Sequence, residues 1–342
     1  MLPEDSSDVS LLIDSARRFV LDATGSVARI GAQVGVILGP CYADCGFCSF
    51  AASTTDTEDY VMSPSELTRY LRMINEGGKV SGISLMTIHQ FDFDTLLDLV
   101  STARSVLPEP IPITINTGDL DPAECRELKS SGADSAYHAL RLDESIDNLL
   151  EPRQRLETMK NLLAAGIKVI SGVEPIGPEH SPKEIMDTYW RTYDLGCNCC
   201  SASRREAVPG TRMYNSGEIS ERRLEQIRAA LVLSSAWCDR TELGYYGGYY
   251  GGLNRVLCEY GGSPKDEYEI SEHGLGRTVE WARARLRSEG FGKLLLADGS
   301  IGSLWAILIT QIFQRKSKPE TRIEKPFSEA SATVFYTACG IP

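Results

Sequence analysis

The stretch Gln33-Val34-Gly35-Val36-Ile37-Leu38-Gly39-Pro40-Cys41-Tyr42-Ala43-Asp44-Cys45-Gly46-Phe47-Cys48-Ser49-Phe50 decides both fold and chemistry. Gln33 to Leu38 is a short apolar run that reads as a β-strand. It leads straight into a loop with cysteines spaced Cys-x3-Cys-x2-Cys. Soft thiolates in a tight loop suit an iron–sulfur cluster or zinc. A tetrahedral zinc site or a ferredoxin-type site wants a fourth ligand, and no Cys or His follows within reach of this loop. Three thiolates on a four-iron cluster leave one iron open to bind and transform a ligand. A structural zinc loop is the alternative.

Outward from this loop, strands and helices alternate. Ser63-Pro64-Ser65-Glu66 offers an N-cap, a proline at the first helical position and a glutamate at the third; Asp121-Pro122-Ala123-Glu124 and Ser181-Pro182-Lys183-Glu184 repeat it. Between these helix starts lie β-rich runs, Gly82 to Ile88, Ile111 to Asn116, Ser135 to Leu142 and Lys168 to Val173. Gly166 closes a helix from Arg155 to Ala165. Further helices are expected from Ser220 to Trp237 and within Arg277 to Phe291. Such alternation predicts an α/β fold with a parallel sheet and right-handed crossovers. We expect a TIM-type (β/α)8 barrel, closed or nearly so, whose chemistry sits at the C-terminal ends of its strands. The cysteine loop lies at that end. A doubly wound sheet is disfavoured because no Gly-x-Gly-x-x-Gly turn follows a strand. The expected organisation is an N-terminal helical extension over 1–29, a barrel core over 30–260, barrel-completing helices over 261–313 and a flexible Lys/Ser/Pro/Glu-rich tail over 314–342.

The 342 residues carry 35 basic and 47 acidic side chains, a formal charge of −12. That balance argues against a nucleic-acid surface. There are ten cysteines, and the start of the chain, Met1 to Ser10, is acidic without an apolar signal region. The cysteines therefore read as reduced thiols or metal ligands in a cytoplasmic protein. The longest apolar run, Leu304 to Phe313, is interrupted by Thr310 and Gln311. It is shorter than the roughly 20 residues a membrane span needs.

The cysteine spacing, with Phe47 just before the third cysteine, resembles the signature of the radical S-adenosylmethionine (SAM) enzymes. From about residue 30 to 240 the chain resembles their biotin-synthase-like branch, with hydrogenase maturase, methylornithine synthase and lipoyl-synthase-type relatives. That likeness is carried by Arg155-Leu156-Glu157-Thr158-Met159 through Ala165-Gly166-Ile167-Lys168-Val169 to Ser171-Gly172. The resemblance implies a full eight-stranded barrel and a [4Fe–4S] cluster on Cys41, Cys45 and Cys48, with SAM chelating the fourth iron. One electron from the reduced cluster would split SAM, and the 5′-deoxyadenosyl radical would take a hydrogen atom from substrate. The resemblance places Phe47 near the adenine and Asp143 on the ribose hydroxyls. It places Arg141 beside the SAM carboxylate, with Arg155 a second candidate there. The stretch Gly172 to Gly177, Glu174 included, would flank the adenine. It further implies a flavodoxin- or ferredoxin-type reductant and a small-molecule or carrier-bound substrate in cofactor biosynthesis. Biotin formation itself is disfavoured. The strand segments Ile83 to Met86, Ile113 to Asn116 and Val169 to Ser171 lack the cysteines that hold biotin synthase's second cluster. The family's Gly-Gly-Glu run is also missing, leaving Met86 or Thr87 to meet the SAM amine.

Cys197-Asn198-Cys199-Cys200 is the other unusual cysteine group. It reads either as ligands of an auxiliary iron–sulfur cluster, completed by Cys238 or Cys339 and donating sulfur as in lipoyl-synthase-type enzymes, or as small buried hydrophobes. Arg204 and Arg205 are candidate anion grips, and His138 and His180 candidate acid–base groups. The repeat Gly244 to Gly252, rich in tyrosine, is a candidate substrate wall. A non-catalytic iron–sulfur or zinc carrier is the reading from a different class.

Overall fold

Three of the helices begin as the sequence predicts. The Asp121 side chain accepts from the Glu124 amide while Glu124 reaches back to the Asp121 amide, opening α4 (Pro122–Ser130). Ser181 and Glu184 make the same reciprocal pair at α6 (Pro182–Asp194), and Ser63 accepts from Glu66 at α2 (Pro64–Ile74). Each such cap stabilises its helix by about 1 kcal/mol. The remaining helices are α1 (Ser7–Ala23), α3 (Phe93–Val106), α5 (Pro152–Ala164), α7 (Glu221–Leu233) and α8 (Val279–Ser288). The computed structural model describes residues 3–76, 79–234, 254–260 and 277–305. The Tyr/Gly repeat, the tail over 314–342, Cys238 and Cys339 lie outside them.

The strands are β1 (Val27–Leu38), β2 (Tyr60–Val61), β3 (Gly82–Thr87), β4 (Ile113–Asn116), β5 (Ser135–Tyr137), β6 (Lys168–Ile176), β7 (Cys199–Arg204), β8 (Arg255–Tyr260), β9 (Lys293–Leu295) and β10 (Ile301–Ser303). The order β1-β3-β4-β5-β6-β7 is parallel throughout, and β8 lies parallel on β1. The sheet curls into a partial barrel wrapped by helices. An eight-stranded barrel was expected; the run β8-β1-β3-β4-β5-β6-β7 has seven parallel strands, β9 adds a parallel pairing to the first two residues of β1, and no β7–β8 pairing occurs among the described residues. β1 begins six residues earlier than its apolar run suggests, because Val27 and Ala28 pair with the short β9. β5 is shorter than expected: after Tyr137 the chain leaves the ladder to build the site.

Alternation sorts the side chains. Ile30, Ala32, Val34 and Val36 of β1 are fully buried, in one core with Ile83, Leu85, Ile113 and Ile115 and the inner faces of the helices. The opposite face of the sheet carries polar groups, such as Gln33, whose amide reaches the Met86 sulfur at 3.1 Å. These elements form one compact unit, Met1–Leu304.

Candidate functional site

β1 delivers the chain to Gly39, whose φ of +146° and closeness to Asp59 demand glycine: an added Cβ would lie 2.4 Å from Asp59 Oδ1. The next residues form a compact loop closed by Cys41 N–H to Phe50 O at 2.7 Å and Ala52 N–H to Cys41 O at 3.1 Å. Cys45 packs with Ala43 and Leu150 in a small apolar cluster, joined by Cys41, Phe47 and Cys48. The backbone N–H groups of His89 and Phe50 point at the sulfurs of Cys41 (3.4 Å) and Cys48 (3.5 Å). Burial pushes the Cys45 thiol up to about 12, opposed by the Arg141 guanidinium. Three thiols, apolar walls and N–H donors to sulfur fit an iron–sulfur cube.

A second loop latches onto the first. Leu149 N–H donates to Ala43 O at 2.9 Å and Gly46 N–H to Asp147 O at 2.8 Å. Arg212, from the segment after β7, pairs with the Asp44 carboxylate and donates to Asp44 O (2.8 Å) and Asp147 O (3.2 Å). Arg141 stands beside this junction, with Nε 3.6 Å from Glu174 Oε1. Burial alone would lower the Arg141 pKa, but Glu174 and its other acidic neighbours raise it, so the residue stays cationic.

Beyond β3, β4 and β5 lies a network that sequence reading missed. Asp119 accepts from Arg155 Nη1 at 3.0 Å, with His138 Nε2 3.5 Å and His89 Nε2 3.9 Å away. Arg155 is buried and also grips Ala139 O through Nε and Nη2. Gly118 permits the approach, since a Cβ there would fall 2.0 Å from His89 O. Burial would raise the Asp119 pKa, but His138 and Arg155 outweigh it and hold the acid at about 2. Burial lowers His138 to about 3, so its ring is neutral. Neither of its ring nitrogens has a hydrogen-bond partner among the described residues. Arg155 is thus a fixed cation, close enough to Arg141 for each to oppose the other's charge.

Asp143 follows β5 with a φ of +53°, anchored where Leu142 N–H meets Glu174 O at 2.8 Å. Its Oδ2 lies 3.1 Å from His180 Nε2, and the Gly177 amide donates to His180 Nδ1 at 2.8 Å. Arg141, Asp143 and His180 border one cavity of about 250 Å³. Gly172 faces the sheet's polar side, where a Cβ would meet the Tyr137 hydroxyl at 2.9 Å and Ser201 Oγ at 3.0 Å.

Cys197, Cys199 and Cys200 lie near one another, all buried. Cys199 pairs in register with Ile170 and Cys200 with Ser171, so the two face opposite sides of β7. Cys197 and Cys200 are part of the apolar core. Arg205 is spent on Glu179 and on the carbonyls of Ser216 and Gly217, and Arg204 pairs with Glu218 and Glu221. Met86 takes the Gln33 amide, and the Thr87 hydroxyl lies 2.8 Å from both Ile88 O and Asn116 O.

The profile of the radical SAM superfamily matches residues 37–189. The biotin synthase of Synechocystis sp. (strain ATCC 27184 / PCC 6803 / Kazusa) is 23% identical over 185 residues, covering 49% of this chain and 50% of that protein. The chain thus spans half the length of that relative. Among solved structures, methylornithine synthase (PylB) superposes with a TM-score of 0.70 at 15% identity, over 84% of this chain and 90% of that one. The maturase HydG of Carboxydothermus hydrogenoformans gives 0.65 at 17% identity, over 84% and 72%. At such identities the structural likeness speaks for the fold alone. No helix among the described residues is long and apolar enough to cross a membrane.

Proposed function

We propose that this chain, whose residues 37–189 match the radical SAM superfamily, is a radical SAM enzyme of the biotin-synthase-like kind that holds a [4Fe–4S] cluster on Cys41, Cys45 and Cys48 and binds SAM between the tips of β1, β5 and β6. When bound, cluster and SAM together supply a radical able to take a hydrogen atom from an unactivated carbon. The chain's own residues do the rest. Arg141 presents its guanidinium to the SAM carboxylate, while Arg155, held by Asp119 and Ala139 O, adds a fixed positive charge behind it. Asp143 accepts from the ribose hydroxyls, and Phe47, Gly172 and Glu174 wall the adenine. The curled sheet orients substrate and keeps solvent away. The substrate is a small molecule or carrier-bound group in cofactor biosynthesis, and a flavodoxin- or ferredoxin-type protein in the cytoplasm provides the electron.

The observation that carries this reading is the trio of thiols in one apolar pocket, with the Arg141 charge acting on Cys45. Anaerobic reconstitution should give about four irons per chain, and dithionite with SAM should release 5′-deoxyadenosine. Cys45→Ala should abolish both. A Cys197→Ser/Cys199→Ser/Cys200→Ser variant should keep its iron, because Cys197 and Cys200 belong to the apolar core and Cys199 faces the other side of β7 from Cys200. Iron content near eight, falling in that variant, would instead favour a sulfur-inserting enzyme with a second cluster. Loaded, reduced protein that leaves SAM intact would favour a carrier.

A further inference from the structure

The β6–α6 turn holds a histidine whose two nitrogens are committed in opposite senses. The Gly177 backbone N–H can only donate, so His180 Nδ1, 2.8 Å away, must accept. The neutral ring therefore carries its proton on Nε2, and that N–H, 3.1 Å from Asp143 Oδ2, must donate. The imidazole is almost wholly enclosed, with 3% of its side chain exposed, whereas Asp143 keeps 35%. Glu179 Oε1 stands 3.7 Å from Nδ1, but Arg205 holds that carboxylate. Asp143 Oδ1 has no hydrogen-bond partner among the described residues, and Asp143 lines the cavity.

We propose that His180 is a positioning residue: locked in one tautomer by the Gly177 amide, it fixes Asp143 Oδ2 and so aims Oδ1 at a ligand's vicinal ribose hydroxyls. This rests on the ribose reading of Asp143 given above. With both nitrogens engaged, His180 acts through Asp143 rather than as an acid or base in turnover. The left-handed backbone at Asp143 makes the tether necessary. A residue with φ near +53° on an irregular segment has no ladder to orient its side chain, so the orientation must come from a neighbouring turn.

The test is equilibrium dialysis of anaerobically cluster-loaded protein with SAM and with its 2′,3′-dideoxy analogue. Wild type should bind SAM at least about tenfold more tightly than the analogue, the worth of a charge-assisted hydrogen bond. His180→Leu should weaken SAM by about tenfold and leave the analogue unchanged. His180→Gln, whose amide can replace the Nε2–H donor, should recover most of the loss. A purely structural role would weaken both ligands alike, and that result overturns the proposal, as does wild-type discrimination in His180→Leu. If wild type fails to discriminate, the ribose reading of Asp143 falls as well, which separates the two failures. Should His180→Leu not fold, His180→Asn carries the test: its shorter amide must lose the discrimination that His180→Gln keeps.

Discussion

At the scale of single residues, Asp119 does the most with the least sequence context. It neutralises a buried guanidinium, and removing one partner of such a pair strands the other charge. Asp119→Asn should therefore cost about 3 kcal/mol in urea unfolding, far more than a surface pair. The same cluster gives the protein an acid-sensitive limb. Asp119 titrates at about 2 in the folded state against 3.8 unfolded, so its stabilisation is present above 3.8 and is lost as the pH falls towards 2. His138 is depressed from 6.5 to about 3, so below 6.5 the unfolded chain takes up a proton that the folded one refuses. Both folded values lie below the unfolded ones, so stability declines with falling pH, first through His138 and then through Asp119. Stability measured from pH 7 to 4 should show the His138 part, and His138→Leu should flatten it. An unchanged slope in that variant would contradict the assignment. The sequence pointed to Arg155 and His138 but not to the network that joins them. Asp119 and His89 sit in ordinary loops, and only the convergence of three strand tips gives them partners. Arg155 was named as a candidate for the SAM carboxylate, but the carboxylate that holds it is Asp119, 36 residues away.

At the scale of elements, local rules carried further. The Ser-Pro and Asp-Pro helix starts were readable because an N-cap satisfies amides only two or three residues on. The cysteine loop was readable for the same reason. Spacing along the chain could not say that Cys199 and Cys200 face opposite sides of β7, because it ignores the two-sidedness of a strand. The latch between the cysteine loop and the loop after Asp143 was invisible, since Arg212 reaches Asp44 across 168 residues. Arg212 is about half exposed, so Arg212→Ala should change global stability by less than about 1 kcal/mol. It should nonetheless free the cysteine loop on one side, and reconstituted protein should lose iron to a chelator faster than wild type. Equal rates would show that the backbone bonds at Gly46 and Leu149 suffice.

At the scale of the whole molecule, the parallel α/β architecture followed from alternation, whereas closure of the sheet did not. Strand count depends on which segments pair, and β9 pairs with only two residues of β1. β1 itself is bonded to β2, β3, β8 and β9. No single neighbour can let go and free it, so its middle opens only when the entire sheet does. Deuterium uptake at residues 32–36 should be among the slowest in the chain and track global unfolding, while the short β10 margin exchanges early. The pedestal of the cysteines would then stay rigid through every breath of the rim, letting the mouth of the barrel admit a guest without disturbing the electron's point of entry.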